Sequence, residues 1–180
     1  LTVLVTFFVG VGSLGLYTYI SVVLERVQVD TIPGMWIWGI GGAVGAFGIG
    51  RVLDKVDSSR KLTTIIIVLL AADFAMLLLF PSSRMVALVC LFVWGLLGWS
   101  SMAPQQHSLL SANPDEGATA VAANASANYL GSAVGSAVGG LFLPSYTGIL
   151  LGALFVVLVG IVCSIGVGAL SFPKPRDNEN

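Results

Sequence analysis

The chain of 180 residues carries 8 Lys and Arg and 9 Asp and Glu, only 9% charged, against 56% hydrophobic residues and a mean hydropathy of +0.95. A soluble domain holds about 25% charged residues, so these few cannot cover a water-facing surface, and lipid is the expected solvent for most of the chain. That excludes a cytosolic enzyme and a disulfide scaffold, and a net charge of -1 offers no basic patch for nucleic acid.

A spanning helix needs about 20 mostly apolar residues to cross about 30 Å of hydrocarbon, and that ruler marks six spans. The first covers residues 1–24 and is closed by Glu25 and Arg26. The second covers 32–53, opened by Pro33 and closed by Asp54 and Lys55. The third covers 62–80, ended by Pro81, and the fourth covers 85–106. Residues 117–173 hold no charge, too long a run for one helix, and Pro144 to Gly148 supplies the turn that divides it into spans 118–143 and 146–172. Uninterrupted apolar runs of this length mean helices rather than barrel strands, because every amide in lipid must be paired. Residues 1–173 are thus expected to form one transmembrane domain, and 174–180 a short tail. Leu1 already stands inside an apolar stretch, with no charged leader or cleavage site before it. The chain is therefore expected to be a piece of a longer one. Cys90 and Cys163 fall within apolar runs and read as buried free thiols.

Charge predicts orientation. Arg51, Lys55, Arg60 and Lys61 flank the connection between spans two and three, and Lys174 and Arg176 follow span six, whereas the other face holds only Arg26 and Arg84. Cytoplasmic loops carry the excess of Lys and Arg. That connection, the one between spans four and five with His107, Asp115 and Glu116, and the C-terminus are expected in the cytoplasm.

Three spans have patterned faces. On span one Thr6, Gly10, Ser13, Tyr17 and Ser21 recur every three or four residues and share a sector. Such a stripe lines a wet cavity or supplies hydrogen bonds between helices, since facing lipid would strand its hydroxyls. On span five Asn124, Asn128, Gly131, Gly135 and Gly139 do the same, with Ser132, Ser136 and Gly140 beside them. The glycines let two backbones approach closely. The two asparagines need partners that lipid does not provide, either solute and water or neighbouring helices. Span two adds Gly41, Gly42, Gly45, Gly48 and Gly50. Asp73 is the one acid deep in a span, where a carboxylate costs about 2.5–3.5 kcal/mol even on the lenient insertion scale. It is a candidate proton site, or an acid hydrogen-bonded to a neighbouring helix. Trp36 and Trp38 fall near the outer end of span two, where indoles favour the interface. Trp94 and Trp99 lie on span four, and Gln105 and Gln106 follow them.

Three stretches together resemble the C-terminal half of a major facilitator superfamily transporter. Gly50-Arg-Val-Leu-Asp54-Lys55-Val-Asp-Ser-Ser-Arg60-Lys61 looks like that superfamily's loop signature G-x-x-x-D-[RK]-x-G-[RK]-[RK]. Gly50, Asp54 and Lys55 match in register, Asp57 stands where the family has its second glycine, and the pair Arg60 and Lys61 arrives two positions late. A glycine for close packing followed by an acid amid basic residues fits a charge network that breaks as helices move. Trp94 to Trp99 and then Pro104-Gln105-Gln106 resemble the fourth-helix exit of drug:proton antiporter and arabinose-efflux-like members. Asn124 to Gly131, followed by Gly135 to Gly140, resembles their eleventh helix, and Tyr17-Thr-Tyr-Ile20 their seventh. The resemblance implies an all-α membrane bundle of six transmembrane helices, one half of a twelve-helix major facilitator fold. It further implies that spans one, two, four and five line the central cavity, while spans three, with Asp73, and six are peripheral.

The implied function is transport of a small solute by alternating access, a drug or sugar-like efflux by proton-coupled antiport. Tyr17, Asn124 and Asn128 are the candidate cavity contacts. The implied partners are the lipid bilayer, the N-terminal six-helix half of the same transporter and the solute, and the implied location is a bacterial inner membrane. The alternative is a stand-alone six-helix module that dimerises or regulates a partner. An intramembrane protease would need a second membrane aspartate beside Asp73, or a G-x-S-G serine with a membrane histidine. Gly12-Ser13-Leu14-Gly15 has the wrong order, and His107 is the only histidine. The chain is not expected to be an enzyme, and neither a metal nor a cofactor is expected.

Overall fold

The computed structural model describes residues 2–169, and side chains as far as residue 166. Leu1, residues 170–172 of the expected sixth span, and the tail 174–180 with Lys174 and Arg176 lie outside the described residues. Among the described residues all regular structure is helical.

The first span is two helices rather than one. Helix α1 (Thr2–Tyr17) and helix α2 (Ile20–Arg26) meet at 53°. No Pro stands at the break. The backbone instead tightens to three-residue hydrogen bonds, Tyr19 N–H to Leu16 O at 2.8 Å and Val22 N–H to Tyr19 O at 3.0 Å. Side chains hold the break open: Thr18 Oγ1 lies 2.6 Å from Ser136 Oγ, and the Tyr19 hydroxyl donates to the Ser136 carbonyl. Within α1, residues Gly10–Leu14 form a wider π-type turn. These two irregularities rotate the register, so Thr6 and Ser13 are buried while Ser21 turns outward.

Helix α3 (Thr31–Leu53) carries Pro33 in its first turn, where a backbone N–H would have no helical partner in any case. Helix α4 (Ser59–Leu79) starts three residues before the sequence expectation, because Ser58 Oγ accepts from Lys61 N–H and caps it. Arg60 and Lys61, read as loop residues, thus stand in the first helical turn. Helix α5 (Arg84–Ala112) runs well past residue 106, with an irregular turn at Ser101. That turn falls three residues before Pro104, whose missing N–H would otherwise leave a gap in the ladder. His107 is therefore helical, and its Nδ1 lies 2.7 Å from Ser59 Oγ. Helix α6 (Gly117–Gly139) ends in a 3₁₀ turn, Gly140–Phe142, and helix α7 (Tyr146–Ala169) follows.

Helices α3, α4, α5 and α7 are each long and apolar enough to cross a membrane, and α1 with α2 makes a fifth, bent span. Helix α6 has 23 residues, about 34 Å, long enough but less apolar. Its two asparagines and three of its glycines turn inward: the buried residues are Gly117, Asn124, Asn128, Gly131 and Gly135. The result is an all-α membrane bundle.

Two glycine seams organise it. A Cβ on Gly41, Gly45 or Gly95 would run into the carbonyls of Phe92, Leu96 and Trp38 respectively, so α3 and α5 touch backbone to backbone. A Cβ on Gly131 or Gly135 would meet the carbonyls of Phe7 and Val11, and one on Gly15 would lie 2.6 Å from Gly135 Cα, so α1 and α6 do the same. Helix α7 closes the other side of α1, where Gly12 faces Val157, and α4 lies between α5 and α7. A Cβ on Gly50, by contrast, would meet nothing within 4 Å. The close packing expected at the loop signature is not made among the described residues, because Gly50 stands on the outward side of the last turn of α3.

Candidate functional site

A cavity of about 280 Å³ opens where α1, α3, α5 and α6 come together. Thr6, Val9 and Ser13 come from α1, Trp38 from α3, Trp99 and Gln105 from α5, and Asn128 and Tyr129 from α6. Helices α4 and α7 contribute nothing to its lining.

Its polar wall is a short chain of side chains. Thr6 Oγ1 contacts Gln105 Oε1 and lies 2.7 Å from Asn124 Oδ1. A hydroxyl has one proton and two lone pairs, so Thr6 donates to Gln105 Oε1 and accepts from Asn124 once the Asn124 amide is turned. All three groups are at least nine-tenths buried. This links α1, α5 and α6 at one level. Buried amide groups cost free energy unless they are bonded, so the triad fixes how these helices face one another.

The aromatic wall is a cluster around Trp38. Tyr17 lies over Trp38 with ring centroids 4.2 Å apart. Trp94 and Trp99 meet the Trp38 ring edge-on at 6.1 and 6.4 Å, and Phe74 meets Trp94 at 5.6 Å. Edge-to-face and offset pairs at such distances are favourable arrangements of aromatic quadrupoles. Trp94 N–H donates to Ser13 Oγ at 2.8 Å, while the Trp38 indole nitrogen has no partner. Trp38 was expected at the interface. It is only 9% exposed, whereas Trp36, two residues earlier, is 69% exposed. The glycines of α3 account for this: Gly42 leaves room for the Trp99 ring, whose Cδ1 would lie 2.6 Å from a Cβ there, and the α3–α5 seam draws Trp38 inward.

The sequence-derived candidates fall in different settings. Asn128 lines the cavity. Asn124 sits behind it, bonded to Thr6. Tyr17 is beside it, bordering a wide, shallow depression of about 350 Å³ with Trp36, Trp38 and Met35. Asp73 lies away from the lining, buried on α4, and its Oδ2 has no hydrogen-bond partner among the described residues. Asp54 and Lys55 are exposed at the end of α3, and Asp54 forms no ion pair with a described residue. Gln105 and Thr6 carry more of the cavity's polarity than the sequence indicated. Their signal was present in part, since Thr6 belongs to the stripe of span one.

This geometry, long apolar helices around an internal, uncharged cavity, defines a membrane-spanning transport domain. The chain belongs to the Major Facilitator Superfamily, whose family model matches residues 1–136. No solved structure matches the chain closely. The protein is accordingly a multi-pass membrane transporter of a small solute, and members of its family are transporters rather than enzymes.

Proposed function

We propose that residues 1–173 are the C-terminal half, helices seven to twelve, of a proton-coupled efflux transporter of the drug:proton antiporter or arabinose-efflux type, followed by a cytoplasmic tail. The observation that carries this reading is the cavity. It is lined by spans one, two, four and five, and spans three and six stay outside it. The wide, exposed faces of α3 and α6, with Phe47 at 85% and Tyr129 at 71% exposure, suit contact with an N-terminal six-helix half and with lipid. In this reading the solute binds between the halves near Tyr17, Asn124 and Asn128. The segment from Gly50 to Lys61 faces the cytoplasm of a bacterial inner membrane, and its charges re-pair as the halves rock. Asp73, remote from the cavity, is the weaker of the proton-site assignments, and the main coupling acid belongs to the other half.

The test is transport by the full-length protein in proteoliposomes. With an imposed proton gradient, at least one compound of a panel of sugars and amphiphilic drugs is expected to move against its own gradient. If none moves faster than in protein-free vesicles, the antiport assignment is wrong.

A further inference from the structure

Two buried nitrogens without a hydrogen-bond partner belong to residues of the same cavity: Trp38 Nε1 and Gln105 Nε2. Buried polar groups are almost always bonded, and each exception calls for an explanation. Gln105 is 1% exposed and Trp38 9%. Both groups are donors. Among the described residues the lining holds no Asp, Glu, Lys, Arg or His, so this side of the site offers a charged ligand no counter-charge for its lost hydration. The rest of the lining is mostly aromatic and aliphatic, from Trp38, Trp99, Val9, Leu14 and Met102, with the hydroxyls of Ser13 and Ser101 and the amide of Asn128 among it.

We propose that this cavity binds an uncharged, planar ring compound, poor in donors, through a carbonyl or ether oxygen that accepts from the N–H groups of Trp38 and Gln105. The inference rests on reading this cavity as the solute site. Both nitrogens are buried just behind the cavity surface. A rotation of the Gln105 amide and a small swing of the Trp38 ring bring them to the ligand oxygen, and Trp99 supplies a face for its ring. A sugar, whose many hydroxyls each bring a donor, fits this pattern less well than an aromatic ketone or lactone.

Coumarin and naphthalene test it. They have similar bicyclic shapes, but only coumarin carries acceptor oxygens. Equilibrium dialysis of the full-length protein measures the ratio of their affinities, with tetraphenylphosphonium as a cationic competitor. One hydrogen bond of ordinary strength corresponds to about tenfold in affinity. Trp38→Phe keeps an aromatic ring, smaller than the indole, and removes the N–H, and Gln105→Met keeps the length and removes the amide. Each is expected to lower the coumarin-to-naphthalene ratio about tenfold. Should Trp38→Phe not fold, Gln105→Met alone decides. An unchanged ratio, no coumarin binding to the unmodified protein, or tighter binding of tetraphenylphosphonium than of coumarin overturns the proposal. The transport reading fails separately. A ratio that falls as expected in a protein that moves no solute leaves a ligand site without transport. Solute movement insensitive to both substitutions leaves transport through another site.

Discussion

The bundle has two seams where glycines bring helix backbones into contact, and they differ in what surrounds the contact. Between α3 and α5, Gly41, Gly45 and Gly95 meet the carbonyls of Phe92, Leu96 and Trp38, and the flanking groups are the rings of Trp38, Trp94 and Trp99. Between α1 and α6, Gly15, Gly131 and Gly135 make an equally close approach. That seam is also bordered by hydroxyls and amides: Thr6 with Asn124 at one level, Thr18 and Tyr19 with Ser136 at another. The first seam depends on shape alone, through dispersion at short range. The second adds directional bonds, which fix rotation as well as distance. That difference explains why α3 is one continuous helix whereas the first span can carry a π-type turn and a break without losing its place.

Substitutions separate the two kinds of seam. The largest effect is expected from Gly95→Val. Its Cβ would collide with the Trp38 backbone, which cannot rotate away, so destabilisation of about 3 kcal/mol or more is expected. Thermal unfolding of the purified protein in detergent measures it, and a melting point within about 1 °C of the unmodified protein would remove the close contact from the argument. Next comes Thr6→Val, which leaves two buried amides short of a partner and is expected to cost about 1–3 kcal/mol. Thr63→Val is its control, since Thr63 is equally buried but bonds only the Ser59 carbonyl of its own helix, at 3.0 Å. If both threonines cost the same, the Thr6 triad does not hold the second seam. The smallest effect has the opposite sign. Gly48 has nothing within 4 Å of a Cβ, so Gly48→Ala is expected to raise stability by up to about 1 kcal/mol through helix propensity.

How much of this was legible before the structure depends on the range of the interaction. The small-residue sectors of spans one, two and five were readable because they follow the helical period, and the seams lie along them. The break at Thr18 and Tyr19 was not readable. No Gly or Pro marks it, and the group that stabilises it, Ser136, is more than a hundred residues away in sequence. Trp38 was misplaced for a related reason: an indole near a helix end favours the interface unless a tertiary pocket takes it, and that pocket needs Gly42 and Trp99 together. The start of α4 turned on a single cap by Ser58, and the extra length of α5 on a turn that accommodates Pro104. Both are local signals weaker than the apolar ruler that overrode them. Of the cavity, the identity of its four helices came from the family resemblance, whereas Gln105 as a buried, half-satisfied amide required coordinates.

The bend in the first span also bears on how the chain sits in its solvent. Drawn straight, residues 2–26 would extend about 37 Å, several ångströms more than the about 30 Å of a hydrocarbon layer. Tilting the last two turns by 53° shortens the reach along α1 to about 33 Å. A rod of the same composition would have to lean, or thicken the lipid around it, to hide its apolar ends, each at a modest cost per ångström. The joint takes up more than half of that mismatch. It leaves Glu25 and Arg26, both exposed, at a depth where headgroups and water can reach them.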